Sequence, residues 1–346
     1  MINLKTISPD ILSLVAKIDE LKGMWTSGVK LHPQVLKKLK ESVLVTSTGA
    51  STRIEGAKMS DEDIEKLLRG ISMEKFADRD KQEVRGYFEL LENIFHSWQD
   101  IYFNESSIKH FHKELLKYAE RDKLHRGEYK KSENKVHMID AAGNSIGVLF
   151  DTAPSYLAPS KTKDLIDWTQ NALKEKKYHP LLTIGIFLVH FLQIHPFQDG
   201  NGRLSRILTN FLLLKEGYVY VPYVSHEKII EDNKPEYYLA LRTSQRNLET
   251  KEEDVSAWLL FFLKAVLKQS QEAINLLSDE NIEKTFSKKQ LAVWEYLKTA
   301  QEITPLEIIK KLEIPRRTIN QILDKLLKIK RVERIGMGRS TRYKVL

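Results

Sequence analysis

The chain has 346 residues, 42% hydrophobic and 29% charged, enough for two or three domains with a buried core and too balanced for wholesale disorder. It contains no cysteine, which excludes a disulfide framework and any cysteine-ligated zinc or iron–sulfur centre. The net charge of +8 is uneven: residues 286–346 hold 15 Lys and Arg against 6 Asp and Glu, a net of +9, while residues 1–285 sum to −1. The excess points to a polyanionic partner for the C-terminal segment alone, or to a solvated basic face.

Helical signals dominate from the start. The N-terminal stretch carries Asp, Glu and Lys through its apolar residues, so a secretory signal is not expected there. Ser8-Pro9 predicts an N-cap and an N1 proline for a helix through Leu21, and a second helix is expected from Pro33 to Val45. Ser60 and Asp63 predict a capping pair ahead of Ile64, Leu67 and Leu68. Val84, Tyr87, Phe88, Leu91 and Phe95 recur at helical spacing, as do Ile108, Phe111, Leu115 and Leu116. Lys135 to Phe150 reads instead as two β-rich runs around Ala-Ala-Gly-Asn, a hairpin whose free edge suits strand addition by an extended peptide.

A helix is then expected from Thr162 to Lys174, followed by PLLTIGIFLVHFLQ, apolar nearly all round and so a buried core helix. In the longest run without Lys, Arg, Asp or Glu, Tyr178 to Gln198, the apolar part Pro180 to Leu192 is interrupted by His190 and falls short of the ~20 residues of a membrane span, so no membrane association is expected. A second apolar helix is predicted over Leu204 to Lys215 with Gly217 as its C-cap. Asp254 to Leu277 reads as an amphipathic connection to the basic segment. These features set expected boundaries at 1–100, 101–250, 251–285 and 286–346 in a mainly α, cytoplasmic-type protein.

Between the two apolar helices lies HPFQDGNGRLSR, residues 195–206. Gly200-Asn201-Gly202 can take positive φ and turn successive N–H groups toward an anion, and the following helix adds its N-terminal dipole. Arg203 and Arg206 are three apart, on one side of the first turn, where cations oppose the dipole unless an anion lies between. Asp199 is a hard oxygen ligand suited to Mg²⁺ beside phosphates, and His195 is a titratable group beside the same loop. Base, metal carboxylate, phosphate nest and two arginines within twelve residues describe a nucleotide-phosphate site.

The loop resembles the Fic motif H-x-F-x-(D/E)-G-N-G-R-x-x-R at all eight specified positions, and the resemblance extends over about Asn104 to Gln245. It implies a Fic-type helical core with the hairpin as a flap that aligns a protein substrate, and transfer of AMP from ATP to a Tyr, Thr or Ser hydroxyl. By the same resemblance His195 would be the base and Asp199 the Mg²⁺ ligand. Gly200, Asn201 and Gly202 would cradle phosphates, with Arg203 and Arg206 on the β and γ groups. The flap wording departs from the commoner one at Asn134-Lys135-Val136-His137. Tyr237 and Tyr238 resemble the wall of the family's adenine pocket; two core tyrosines are the other reading.

Upstream, Ser51-x-x-x-Glu55-Gly56 resembles the family's inhibitory motif, with Ser51 and Glu55 expected on one face of a short helix. A Glu55–Arg206 pair would then take the arginine that the γ-phosphate needs. A second role for Glu55, orienting water to remove AMP, stays open.

From Phe286 the pattern is three helices and a hairpin, resembling a winged helix: Lys288 to Lys298, Thr304-Pro305-x-Glu307 as a capping box, a third helix after Pro315, then Val332 to Ile335 and Thr341 to Val345. Arg316, Arg317 and Asn320 near the start of the third helix, with Arg339 on the wing, are the expected DNA contacts; a protein partner is the alternative. Two functions therefore stand side by side, a self-inhibited protein adenylyltransferase and a DNA-binding regulator whose Fic core senses nucleotide. A homo-oligomer is compatible with either.

Overall fold

The computed structural model describes residues 7–28, 31, 33–70, 78–139, 145–248, 250–277, 286–299, 302–328, 331–336 and 341–345. It divides into two compact units, residues 1–22 with 40–271 and residues 23–39 with 272–346. Three helices have residues in both: α1 (Pro9–Gly28), α2 (Pro33–Ile54) and α11 (Ser256–Asn275).

The larger unit is built around α7 (Pro180–Ile194) and α8 (Asn201–Lys215), whose residues are buried along almost their whole lengths. Each buried Leu, Ile or Phe contributes roughly 1.5–3 kcal/mol, so this pair forms the stable centre on which the loop between them is hung. Around it pack α4 (Asp78–Ser97), α5 (Glu105–Leu115), α6 (Ala158–Glu175) and α10 (Lys234–Gln245), with α3 (Asp61–Leu68) against α4 and α9 (His226–Asp232) against α10. The capping box at Ser60 and Asp63 forms as its spacing predicts. At the end of α8, Gly217 takes φ +84° and the Tyr218 amide reaches back to the Leu213 carbonyl, the C-cap expected of it.

The helix expected to end at Leu21 runs on to Gly28, and the one expected from Thr162 begins at Ala158; two further differences bear on the site. The helix expected to stop at Val45 runs on to Ile54, through a small and polar stretch of modest helix propensity. Burial supplies the reason: Ser47, Thr48, Ser51 and Thr52 are all enclosed, Ser47 bonds Ser225 at 2.8 Å, and Thr52 bonds back to the Thr48 carbonyl. There is no separate short helix; Ser51 lies in the last turn of α2 and Glu55 in the turn that closes it. The second difference is at α8, which begins at Asn201 rather than Leu204 because Gly200 turns the chain at φ +79°.

The predicted hairpin is present as β1 (Lys135–Ile139) and β2 (Ser145–Asp151), antiparallel, with irregularities after Val136 and Met138. Its Ala-Ala-Gly-Asn tip lies outside the described residues.

The smaller unit places α12 (Lys288–Lys298), α13 (Pro305–Leu312) and α14 (Arg316–Lys328) before an antiparallel pair, β3 (Val332–Ile335) and β4 (Arg342–Val345). Ile303 adds a bridge to Tyr343, giving the spatial order Ile303, β4, β3. Val293, Trp294, Leu297, Ile308, Ile319, Ile322, Leu323 and Leu326 are buried, whereas Leu291, Ile309, Leu312 and Leu327, which share the helical spacing of this segment, are half-buried. The expected wing residue Arg339 lies outside the described residues.

Candidate active site

The loop 195–200 leaves α7 and enters α8 through two left-handed residues, His195 at φ +52° and Gly200 at φ +79°. His195 caps α7, and its Nδ1 lies 3.2 Å from the Leu192 carbonyl. A carbonyl only accepts, so Nδ1 carries the proton and Nε2 keeps its lone pair. Burial, with the positive charge of Lys130, pushes the imidazole down to about 4 against the Leu192 bond, Glu55 and Asp199. It is neutral and able to accept a proton at ordinary pH.

Asn201 sets the loop's shape. Its side chain accepts from the Phe197 amide at 3.0 Å and donates to the Phe197 carbonyl at 2.8 Å, closing the turn between the helices. Both ends of its amide are engaged in the loop. A residue that sequence spacing did not single out supports the loop from below. His112 on α5 donates from Nε2 to the Asp199 carbonyl at 3.0 Å, accepts from the Gly127 amide at 2.9 Å, and stacks on Phe197 at 3.9 Å. Burial pushes it down to about 4, which suits a neutral imidazole with one donor and one acceptor nitrogen.

Asp199 and Arg203 belong to a ring of four charges. Arg79 on α4 bonds Glu83 at 2.7 Å, Glu83 meets Arg203 at 3.0 Å, Arg203 meets Asp199 at 3.4 Å, and Asp199 comes within 3.9 Å of Arg79. Burial works against the Asp199 charge, but Arg203, the Gly200 amide and Arg79 outweigh it and hold the carboxyl below its usual range. Its Oδ1 takes the Gly200 amide at 2.6 Å and the Arg203 contact, while Oδ2 has only the long Arg79 approach. One half-exposed carboxylate with a freer oxygen fits Mg²⁺, which commonly takes one or two protein carboxylates and completes its shell with phosphate and water.

Arg206, three residues on, has an entirely different set of partners. It donates to Ser51 Oγ at 2.8 Å, to the Ser51 carbonyl at 2.9 Å and to Glu55 at 2.8 Å. The Glu55 carboxylate also lies against the Cα of Gly202; a Cβ there would strike Glu55 Oε1. Glu55 therefore sits at the N-terminus of α8, where unpaired amides and the helix dipole favour a negative group. Arg53 braces this position: it forks onto Glu231 of α9 at 2.6 and 3.2 Å and reaches Asp61 at 2.9 Å and the Met59 carbonyl at 3.0 Å.

Tyr237 and Tyr238 lie on the adjacent α10. Tyr237 is buried, its phenol toward Arg206 and Ser205, and its ring lies 5.1 Å from Tyr238 and 5.7 Å from Trp258. Tyr238 is only partly buried and lies within electrostatic reach of Glu55. All the residues singled out in 195–206, with Ser51, Glu55, Tyr237 and Tyr238, fall in the larger unit. His112, Arg79, Glu83 and Arg53 complete the site without a spacing signal of their own; nothing in the sequence separates buried His112 from its neighbour His110.

The sequence pattern described as the Fic/DOC family matches residues 102–213. A Fido domain-containing protein of Dictyostelium discoideum is 35% identical over 113 residues, covering 30% of this chain and 73% of that protein. The chain belongs to the Fic/DOC family. It is also 25% identical over 318 residues to a probable protein adenylyltransferase of Aquifex aeolicus, covering 90% of this chain and 88% of that protein. A crystal structure of a Fic family protein from Desulfovibrio desulfuricans superposes with a TM-score of 0.64 at 23% identity, over 100% of this chain and 98% of that one. No helix among the described residues is long and apolar enough to cross a membrane.

Proposed function

We propose that this chain is a protein adenylyltransferase that moves AMP from ATP to a Tyr, Thr or Ser hydroxyl of a protein, and that Glu55 restrains it. The carrying observation is the neutral His195, with Nε2 free of the Leu192 bond, on the loop that enters α8 and within electrostatic reach of Glu55 and Asp199. Nε2 takes the hydroxyl proton as the oxygen attacks the α-phosphorus; the new O–P bond forms as the α–β bridging bond breaks, and pyrophosphate leaves. Adenylyl transfer needs mainly positioning and neutralisation of charge, which the α8 amides and Arg206 supply, while the base adds roughly 10²–10⁴. Mg²⁺ held by Asp199 would supply further neutralisation of the phosphates. Tyr237 and Tyr238 would border the nucleotide.

Glu55 restrains the reaction in this reading because its carboxylate holds both the guanidinium and the helix end that the terminal phosphates of ATP require. The test is incubation with ATP labelled at the α-phosphate. Glu55→Gly is expected to label itself or added proteins at least tenfold more than the wild type, and adding His195→Ala to abolish labelling while ATP affinity stays within threefold. Equal labelling with and without His195 overturns the assignment.

The second unit supports a separate reading as a winged helix that binds duplex DNA. Lys310, Lys311, Arg316 and Arg317 are exposed across the α13–α14 turn and have no ion-pair partner among the described residues. Asn320 and Gln321 follow on the exposed side of α14, and Arg, Asn and Gln are the side chains that fork onto guanine and adenine edges. Duplex affinity is expected to fall steeply with salt, with a slope smaller by about 2 in Arg316→Ala/Arg317→Ala. No affinity at low salt overturns this reading, and binding to a protein instead would replace it.

A further inference from the structure

The chemistry assigned to His195 leaves one buried cation unused. Lys130 is 3% exposed, yet among the described residues no carboxylate lies within ion-pair distance of it. Its three ammonium hydrogens go to three neutral oxygens, Asn134 Oδ1 at 2.9 Å, Thr152 Oγ1 at 2.8 Å and the Ile194 carbonyl at 3.2 Å. Burying an ammonium without a counter-ion is costly, and here desolvation lowers it to about 8 even with Glu133 nearby. A hydrocarbon side chain would fill the space at lower cost, so what the charge and its three bonds accomplish calls for an explanation.

The partners give it. Asn134 immediately precedes β1 and Thr152 immediately follows β2, so they are the two feet of the hairpin. The carbonyl of Ile194 belongs to the residue before His195. The bonds continue on both sides: the Lys130 amide donates to the Pro196 carbonyl at 2.9 Å, Asn134 Nδ2 to the Phe197 carbonyl at 3.0 Å, and the Ala153 amide to the Gln193 carbonyl at 3.2 Å. Thr152 Oγ1 closes the knot by donating toward Asn134 at 2.7 Å. Residues 193, 194, 196 and 197 are thereby tied to the feet of the hairpin, with His195 in the middle of the tied segment.

We propose that Lys130 is a positioning residue, which locks the feet of the β1–β2 hairpin to the backbone around His195 so that a polypeptide aligned along the hairpin meets Nε2 in one fixed register. The proposal rests on the adenylyl-transfer reading for its consequence and on the hydrogen-bond knot for its existence. A carboxylate partner would neutralise the ammonium; three neutral acceptors hold it while leaving its charge felt at the imidazole, which helps keep His195 unprotonated. The other charges that reach His195 are Glu55 from the turn after α2 and Asp199 from its own loop, and Glu133 reaches Lys130.

The test has two arms in the full-length chain. In the first, Lys130→Met is added to Glu55→Gly and AMP transfer is measured. Transfer to a protein hydroxyl is expected to fall at least thirtyfold with ATP affinity unchanged within threefold, and Lys130→Arg to recover at least a third of it. In the second, the His195 imidazole is titrated by NMR without nucleotide. Lys130→Met is expected to raise its midpoint by about one pH unit, and Lys130→Arg to restore it. If Glu55→Gly itself transfers no AMP, the adenylyl-transfer reading fails, and the titration still decides whether Lys130 acts on His195. Should Lys130→Met not fold, Thr152→Val keeps the ammonium but removes one acceptor, and smaller changes in the same directions are expected. Unchanged transfer and an unchanged midpoint in a folded variant overturn the proposal, and so does equal loss of ATP binding and transfer.

Discussion

Arg203 and Arg206 leave the same first turns of α8, are equally buried and are separated by three residues, yet they are held by different machinery. Arg203 is clasped by Glu83, an acid from the middle of α4 that is itself enclosed and shared with Arg79. Arg206 is clasped by Glu55, which stands beyond the last residue of α2 and keeps about a third of its side chain exposed. One counter-ion is built into the packed body, and the other sits in the partly exposed turn that closes α2, within reach of solvent and of a competing anion. The difference separates an enclosed counter-ion from a partly exposed one, and the restraint proposed for Glu55 rests on that exposure.

The largest effect that would sharpen this contrast is on stability. Glu83→Gln removes one member of the ring and leaves the buried Arg203 short of a neutralising charge, for which a loss of about 3 kcal/mol is expected in urea unfolding. Glu55→Gly is expected to cost no more than about 1 kcal/mol, since Ser51 still accepts twice from Arg206 and water reaches the vacated side. Equal losses in the two variants would erase the distinction.

Activity should divide the other way. Glu55→Gly is expected to raise AMP transfer at least tenfold, whereas Glu83→Gln is expected to lower it in the Glu55→Gly background, because Arg203 and Arg79, which flank Asp199, lose the acid they share. Steady-state labelling in the single and double variants measures both. A Glu83→Gln variant that labels faster than its parent would mean that this acid restrains the site as well.

The same contrast explains what was legible in the sequence. The helices of both units were readable because apolar periodicity and capping residues act locally, as at Ser60, Gly217 and Thr304. The loop 195–206 was readable because glycines, acid, base and arginines are contiguous. Long-range partners were not. Glu83 sits at the same helical spacing as any surface acid, and only packing of α4 on α8 turns it toward Arg203. Lys130 reads as one member of a charged Lys-Lys pair, and burial separates it from exposed Lys131. The end of α2 was missed for the converse reason: its serines and threonines resemble a loop, and tertiary burial of those hydroxyls makes them helical.

The finest test concerns what holds Glu55 in place. Arg53 is two residues before it and ties the end of α2 to α9 through the fork on Glu231, with Asp61 and the Met59 carbonyl fixing the chain just beyond. Arg53→Gln keeps a polar side chain but loses the fork, so the turn carrying Glu55 becomes freer while Glu55 itself remains. A rise in AMP transfer of about threefold over wild type is expected, with no further rise when Arg53→Gln is added to Glu55→Gly. That dependence follows from acting through Glu55: once the carboxylate is gone, loosening its support has nothing left to release. An additive increase in the double variant would place Arg53 on a separate route to the site, and no increase in the single variant would show that the Ser51 and Arg206 bonds hold the turn unaided.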